Sequence, residues 1–106
     1  MAKKTSSEEG WDVAGALAVL KSQIDPYLWE QGQELYRRSA AEDVAIQADG
    51  TIQIRVLDPR DARIFFVAVQ RKDRGRLVAS CPCPYRLGGF CRHQVVALEY
   101  LHAVQQ

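Results

Sequence analysis

The chain has 106 residues, room for one small domain and too few for a multi-domain enzyme. Hydrophobic residues make up 47% and charged residues 25%, a globular balance that excludes disorder throughout. The formal net charge of +1 conceals five basic against nine acidic groups over residues 1–50, and nine against four over 51–106.

Residues 1–9 are polar and rich in Lys, Ser and Glu, and read as a flexible tail. Ser6 and Glu9 have the spacing of a capping box. Trp11, Ala14, Leu17, Ala18 and Ile24 then recur at helical spacing. The longest apolar run here, Ala14 to Leu20, is seven residues between Asp12 and Lys21. A bilayer needs about 20, so no spanning helix is expected. Glu8, Glu9 and Asp12 also interrupt any secretory-signal pattern, and a cytoplasmic location away from membranes is expected.

Asp25-Pro26 closes the first helix and opens a second, with Asp25 as N-cap and Pro26 in the first helical position. Leu28, Gly32, Leu35 and Tyr36 share one face of that second helix. A mid-helix glycine costs about 1 kcal/mol relative to Ala, so Gly32 implies close packing against a neighbour. Residues 10–40 therefore read as a helical segment packed on the rest.

From Glu42 the period becomes two. Val44, Ile46 and Ala48 point one way, Asp49-Gly50 makes a tight hairpin, and Ile52, Ile54 and Val56 answer on the return strand. Asp58-Pro59 marks another turn. Ile64 to Val69 is apolar on both faces, as in a central strand, and a basic loop from Arg71 to Arg76 leads to a short strand at Leu77–Ser80. A last helix is predicted over Arg92–Val104, with His93, Val96, Ala97, Tyr100, Leu101 and Val104 in one stripe. The fold class is α+β: N-terminal helices, then an antiparallel sheet of three to four strands, a metal-binding loop and a C-terminal helix over 41–106. A unit of that size usually requires a staple.

The staple is written in the cysteines. Cys81, Cys83 and Cys91 fall within eleven residues, and with His93 they spell C-x-C-x7-C-x-H. Three thiols and one imidazole are the ligand set of a structural zinc site, in which the protein fills all four positions. In an extended segment Cys81 and Cys83 point to the same side, and Pro82 and Pro84 stiffen it. Residues two apart on a helix diverge, so Cys91 must stand at or before the N-cap with His93 in the first turn. Gly88-Gly89 lets the intervening loop turn back. The competing chemistries fit poorly. A disulfide across Pro82 would be strained, an odd cysteine count suits no disulfide scaffold, and a Cys91–His93 nucleophile has no orienting third group. His102, nine residues past His93, falls on the far side of the helix and is expected at the surface.

The run Cys81-Pro82-Cys83-Pro84 through Cys91-Arg92-His93-Gln94-Val95-Val96-Ala97-Leu98 resembles the SWIM-type zinc finger, C-x-C followed by C-x-H leading into an apolar helix. Tyr27–Ser39 and Phe65-x-Val67-x-Val69 resemble the helix and last strand that precede the zinc in bacterial members. Arg92 stands where Lys is frequent. The resemblance implies one structural zinc ion on Cys81, Cys83, Cys91 and His93, and a module that binds DNA or other proteins beside remodelling-type ATPases. No phosphate-binding G-x-x-x-x-G-K-[ST] occurs. Neither an acid/base pair nor a small-molecule pocket signature stands out, so no enzymatic activity is expected.

Two partners suit such a module. DNA would meet Arg71, Lys72, Arg74, Arg76, Arg86 and Arg92, with Tyr85 and Phe90 either stacking on a base or packing over the metal loop. A protein partner would use the acidic N-terminal half and exposed strand edges, with Trp11 and Trp29 as anchors or as core. Solvated arginines account for the basic half equally well. Arginines paired with Asp58, Asp61 or Asp73 would favour the protein partner.

Overall fold

The computed structural model describes residues 12–60, 62–72, 76–84 and 89–105. The tail, Ser6, Glu9, Trp11, Asp61, Asp73, Arg74, Tyr85, Arg86 and Gly88 lie outside them. Helix α1 spans Val13–Gln23, and its N-cap is Asp12, whose carboxylate accepts from the Gly15 N–H at 3.0 Å. Its inward face is Val13, Leu17 and Leu20, continued by Ile24. Ala14 and Ala18, expected on that face, are exposed. The larger side chains one position away bury more apolar area and fix the rotation of the helix.

Helix α2 runs Pro26–Arg37 from the predicted cap, Asp25 accepting from the Tyr27 N–H at 2.8 Å. It ends with Ser39 in the left-handed region at φ 60°. There the Ser39 N–H reaches the Tyr36 carbonyl at 2.9 Å and the Ala40 N–H reaches Leu35 at 3.0 Å, which satisfies two of the helix's last carbonyls. Ala40 and Ala41 are buried directly after this reversal.

Four strands follow, β1 (Ala41–Ile46), β2 (Ile52–Asp58), β3 (Arg63–Arg71) and β4 (Leu77–Ser80), as an antiparallel meander in the order β1-β2-β3-β4. The first hairpin closes with Gln47 and Thr51 paired at 2.8 Å and Gly50 at φ +91°. That is a turn followed by one left-handed residue, a conformation Gly adopts without strain. In register, Ile52, Ile54 and Val56 of β2 face the same side as Val69, Val67 and Phe65 of β3, and all six are buried.

Helix α3 (Arg92–Gln105) lies on that side and touches all four strands, while α1 and α2 pack on α3. It is therefore walled on both sides, and every residue from Cys91 to Leu98 is buried. The predicted stripe holds at His93, Val96, Ala97 and Leu101. It omits Val95 and Leu98, which face the helices, and includes Val104, which is exposed. A Cβ added at Gly32 would stand 2.4 Å from the Val95 Cβ and 2.9 Å from the Arg92 carbonyl oxygen, so the glycine sets how closely α2 approaches α3.

The register pairs Ile46 with Ile52 and Val44 with Ile54, as the alternation predicts, and the exposure of the two outer surfaces is the new finding. Ile46 is 73% exposed and Val44 partly so, because β1 is an edge strand with a bulge between Glu42 and Val44; Ala48 belongs to the turn. β3 is central in the sheet, yet its outward Ile64 and Phe66 are 41% and 49% exposed. The described helices cover one face of the sheet only. No described helix is long and apolar enough to cross a membrane.

Candidate metal centre

Beyond Ser80 the chain stays extended, and Cys81 and Cys83 turn inward while Pro82 and Pro84 face solvent. That alternation is the period of two expected of an extended segment. Cys91 is the N-cap of α3, and His93 lies in its first turn. Gln94, three residues after the cap, accepts from the Cys91 N–H at 2.9 Å, and its own N–H reaches the Cys91 carbonyl at 3.2 Å. The Gln94 N–H also favours the Cys91 thiolate, so side chain and backbone reciprocate as in a capping box with cysteine at the cap. The Gln94 amide also donates to the Ala79 carbonyl at 2.7 Å, so one side chain ties the helix start to the strand that leads to Cys81.

These two segments bring Cys81, Cys83, Cys91 and His93 together, all buried, with one ligand atom from each within 4.8 Å of the others. His93 Nδ1 lies 3.6 Å from the Cys81 sulfur and 3.8 Å from that of Cys91. A tetrahedral zinc ion, with Zn–S near 2.3 Å and Zn–N near 2.05 Å, would set such pairs ~3.6 Å apart. The donor set and its spacing fit a tetrahedral ion. None of the three cysteines is in a disulfide. The Cys91 thiol is pushed down by the hydrogen bond from Cys81, and Cys81 is pushed up by the same bond and by burial. A cation bound by thiolates displaces their protons, so such binding weakens as pH falls.

Below the thiols lies a second polar layer. Asp58, the last residue of β2, is fully buried. Its Oδ2 accepts from Arg92 Nε at 3.1 Å and Nη2 at 2.7 Å and lies 2.7 Å from His93 Nε2, while Oδ1 accepts from the Arg60 N–H at 3.0 Å. Burial alone would raise the carboxyl, but the hydrogen bonds from His93, Arg60 and Arg92 outweigh it and leave Asp58 below the usual carboxylate range. The His93 ring also stacks on Phe65, with centroids 4.5 Å apart.

Arg92 is therefore withdrawn from the predicted basic surface: it is 7% exposed and paired with Asp58. A buried guanidinium requires a counter-charge, and the inward-facing carboxylate of β2 supplies it. Of the remaining basic positions, Arg71, Lys72 and Arg76 are exposed at the β3–β4 connection; Arg74 and Arg86 lie outside the described residues. Phe90 packs against the core, as does Trp29, and Lys21 Nζ sits 5.6 Å over the Trp29 ring. His102, expected at the surface, is half-buried.

Asp58 supplies the orienting third group for His93 that the sequence alone does not show. Residue type and spacing do not single out Asp58 or Gln94 as site residues, although both leave a trace in the sequence. Asp58 continues the inward alternation of Ile52, Ile54 and Val56, and Gln94 stands three residues after a candidate N-cap. Compared with models of protein families, with curated proteins and with solved structures, the chain matches none. The residues that could hold a metal ion are thus assigned on their geometry alone.

Proposed function

We propose that the chain is a non-catalytic interaction module whose sheet and last helix are stapled by one structural zinc ion on Cys81, Cys83, Cys91 and His93. The observation that carries this reading is the convergence of four buried ligand atoms within 4.8 Å, with His93 Nδ1 3.6 and 3.8 Å from two of the sulfurs. Three thiolates and an imidazole select zinc among the common divalent ions, and four protein ligands leave it no open position for catalysis. The SWIM-type resemblance of C-x-C-x7-C-x-H agrees with this use of the residues. Native mass spectrometry of protein purified without added metal tests it. One zinc per chain is expected, and a metal-free folded protein would refute the assignment.

The partner proposed is DNA, or a protein of a DNA-processing complex. Arg71, Lys72 and Arg76, exposed on one connection, support the first form. The test is fluorescence anisotropy of labelled single- and double-stranded DNA, titrated with salt. Binding that weakens linearly on a log–log scale, and is lost when Arg71, Lys72, Arg74, Arg76 and Arg86 become Ala, supports DNA contact. No binding at low salt by the zinc-loaded protein would sink it. Two observations favour the protein partner instead: Arg92 is engaged by Asp58, and Leu57, Ile64 and Phe66 stand together on the uncovered sheet face.

A further inference from the structure

We infer that Asp58 is the positioning residue of the metal site, holding His93 so that Nδ1, and not Nε2, is offered to the ion; this rests on the zinc assignment above. Around Asp58 every described polar neighbour other than His93 can only donate. Arg92 contributes Nε and Nη2, and the Arg60 backbone contributes its N–H. A carboxylate ringed by three donors is an acceptor, so at 2.7 Å the His93 Nε2 carries the hydrogen. The lone pair then resides on Nδ1, the atom 3.6 and 3.8 Å from the sulfurs of Cys81 and Cys91. Phe65, stacked on the imidazole, fixes the ring plane, and Asp58 fixes its rotation within that plane.

Charge explains why an aspartate is tolerated at a fully buried position. Three thiolates and a divalent ion sum to −1, and a carboxylate beside them would be repulsive without a counter-ion. Arg92 provides one, on the residue between Cys91 and His93, so ligand and counter-charge arrive on the same turn of α3. Both Arg92 donors fall on Oδ2, a side-on approach that a lysine ammonium would make through a single nitrogen. The strand thereby reaches the metal through a histidine on another element, and the ion's geometry becomes conditional on β2 being docked.

Long-range proton–nitrogen NMR of the zinc-loaded protein reads the tautomer directly, and chelator competition reads the affinity. We expect His93 to be protonated on Nε2 and metal-bound through Nδ1. Asp58→Ala is expected to weaken zinc binding about 10–100-fold, and Asp58→Asn, which keeps an acceptor without the charge, by less. Arg92→Met, which removes the ion pair but leaves the Asp58–His93 contact, lowers the melting temperature with the His93 tautomer unchanged. Histidine bound through Nε2, an Asp58→Ala affinity within twofold of the parent, or equal affinity losses in Asp58→Ala and Arg92→Met would overturn the assignment while leaving the zinc site standing. A parent protein that binds no zinc removes both. Should Asp58→Ala not fold, the tautomer in the unsubstituted chain decides.

Discussion

Helix α3 is held in two different ways less than one turn apart. Val95 meets Gly32 of α2 through methyl groups and a bare Cα, whereas Arg92 and His93 meet Asp58 of β2 through hydrogen bonds at 2.7–3.1 Å. The apolar contact is non-directional, so a changed shape there has a graded cost. The polar cluster is conditional, because each charged or ligating group is tolerable in the interior only while its partner is present. One helix is thus fastened gradually on one side and all-or-none on the other.

The sharpest way to break that contrast is to remove a ligand. Cys83→Ser, or strong chelation of the parent, is expected to abolish the cooperative thermal transition seen by circular dichroism. A structural zinc supplies about 10–16 kcal/mol in small zinc-dependent folds, comparable with the entire stability of a domain at about 5–15 kcal/mol. A cooperative transition retained without metal would mean that the apolar side alone sustains the fold.

Gly32→Ala probes the other side. The new Cβ would overlap Val95 and press on the Arg92 carbonyl, at about 1–3 kcal/mol, against roughly 1 kcal/mol gained in helix propensity. A net loss of about 1 kcal/mol lowers Tm by about 4–8 °C, with one zinc still bound per chain. Loss of zinc in this variant would show that the two sides of α3 are not separable.

The smallest effect belongs to the first hairpin, remote from both. The Thr51 N–H donates to Asp49 at 2.9 Å and holds its carboxyl below the ordinary aspartate range. A depressed folded value means that the stabilisation is present above the unfolded pKa and fades as pH falls through the folded one. Carbon-detected titration of Asp49 should find that lowered midpoint, and the stability difference from Asp49→Ala should shrink across it. An unshifted midpoint would show that the turn contact contributes nothing.

Much of this arrangement is legible in the order of the residues. Alternation over 52–56 marks the inward face of β2, the Asp25-Pro26 pair marks a helix boundary, and mid-helix Gly32 announces a close approach. The four ligands follow from residue type and spacing, since Cys91 and His93 can meet only across a helix start. The rotation of α1 is not legible, because Trp11, Ala14 and Ala18 form as regular a period as Val13, Leu17 and Leu20. Periodicity reports that a face exists; the volume available against the neighbouring elements selects which one is buried.

Residue order settles what is local: caps, turns, strand parity and a candidate ligand set confined to thirteen residues. These depend on backbone geometry over a few positions, which short-range residue identity controls. Which distant partner each residue meets is settled only in the folded chain. Arg92 reads as a surface cation until Asp58, thirty-four positions earlier, is brought beneath it. Ile64 and Phe66 give β3 a second apolar face, and only the placement of the helices shows that this face is the exposed one. Charge pairing and layer order are long-range choices, settled by which apolar faces bury most area together and which buried charges find a counter-charge there.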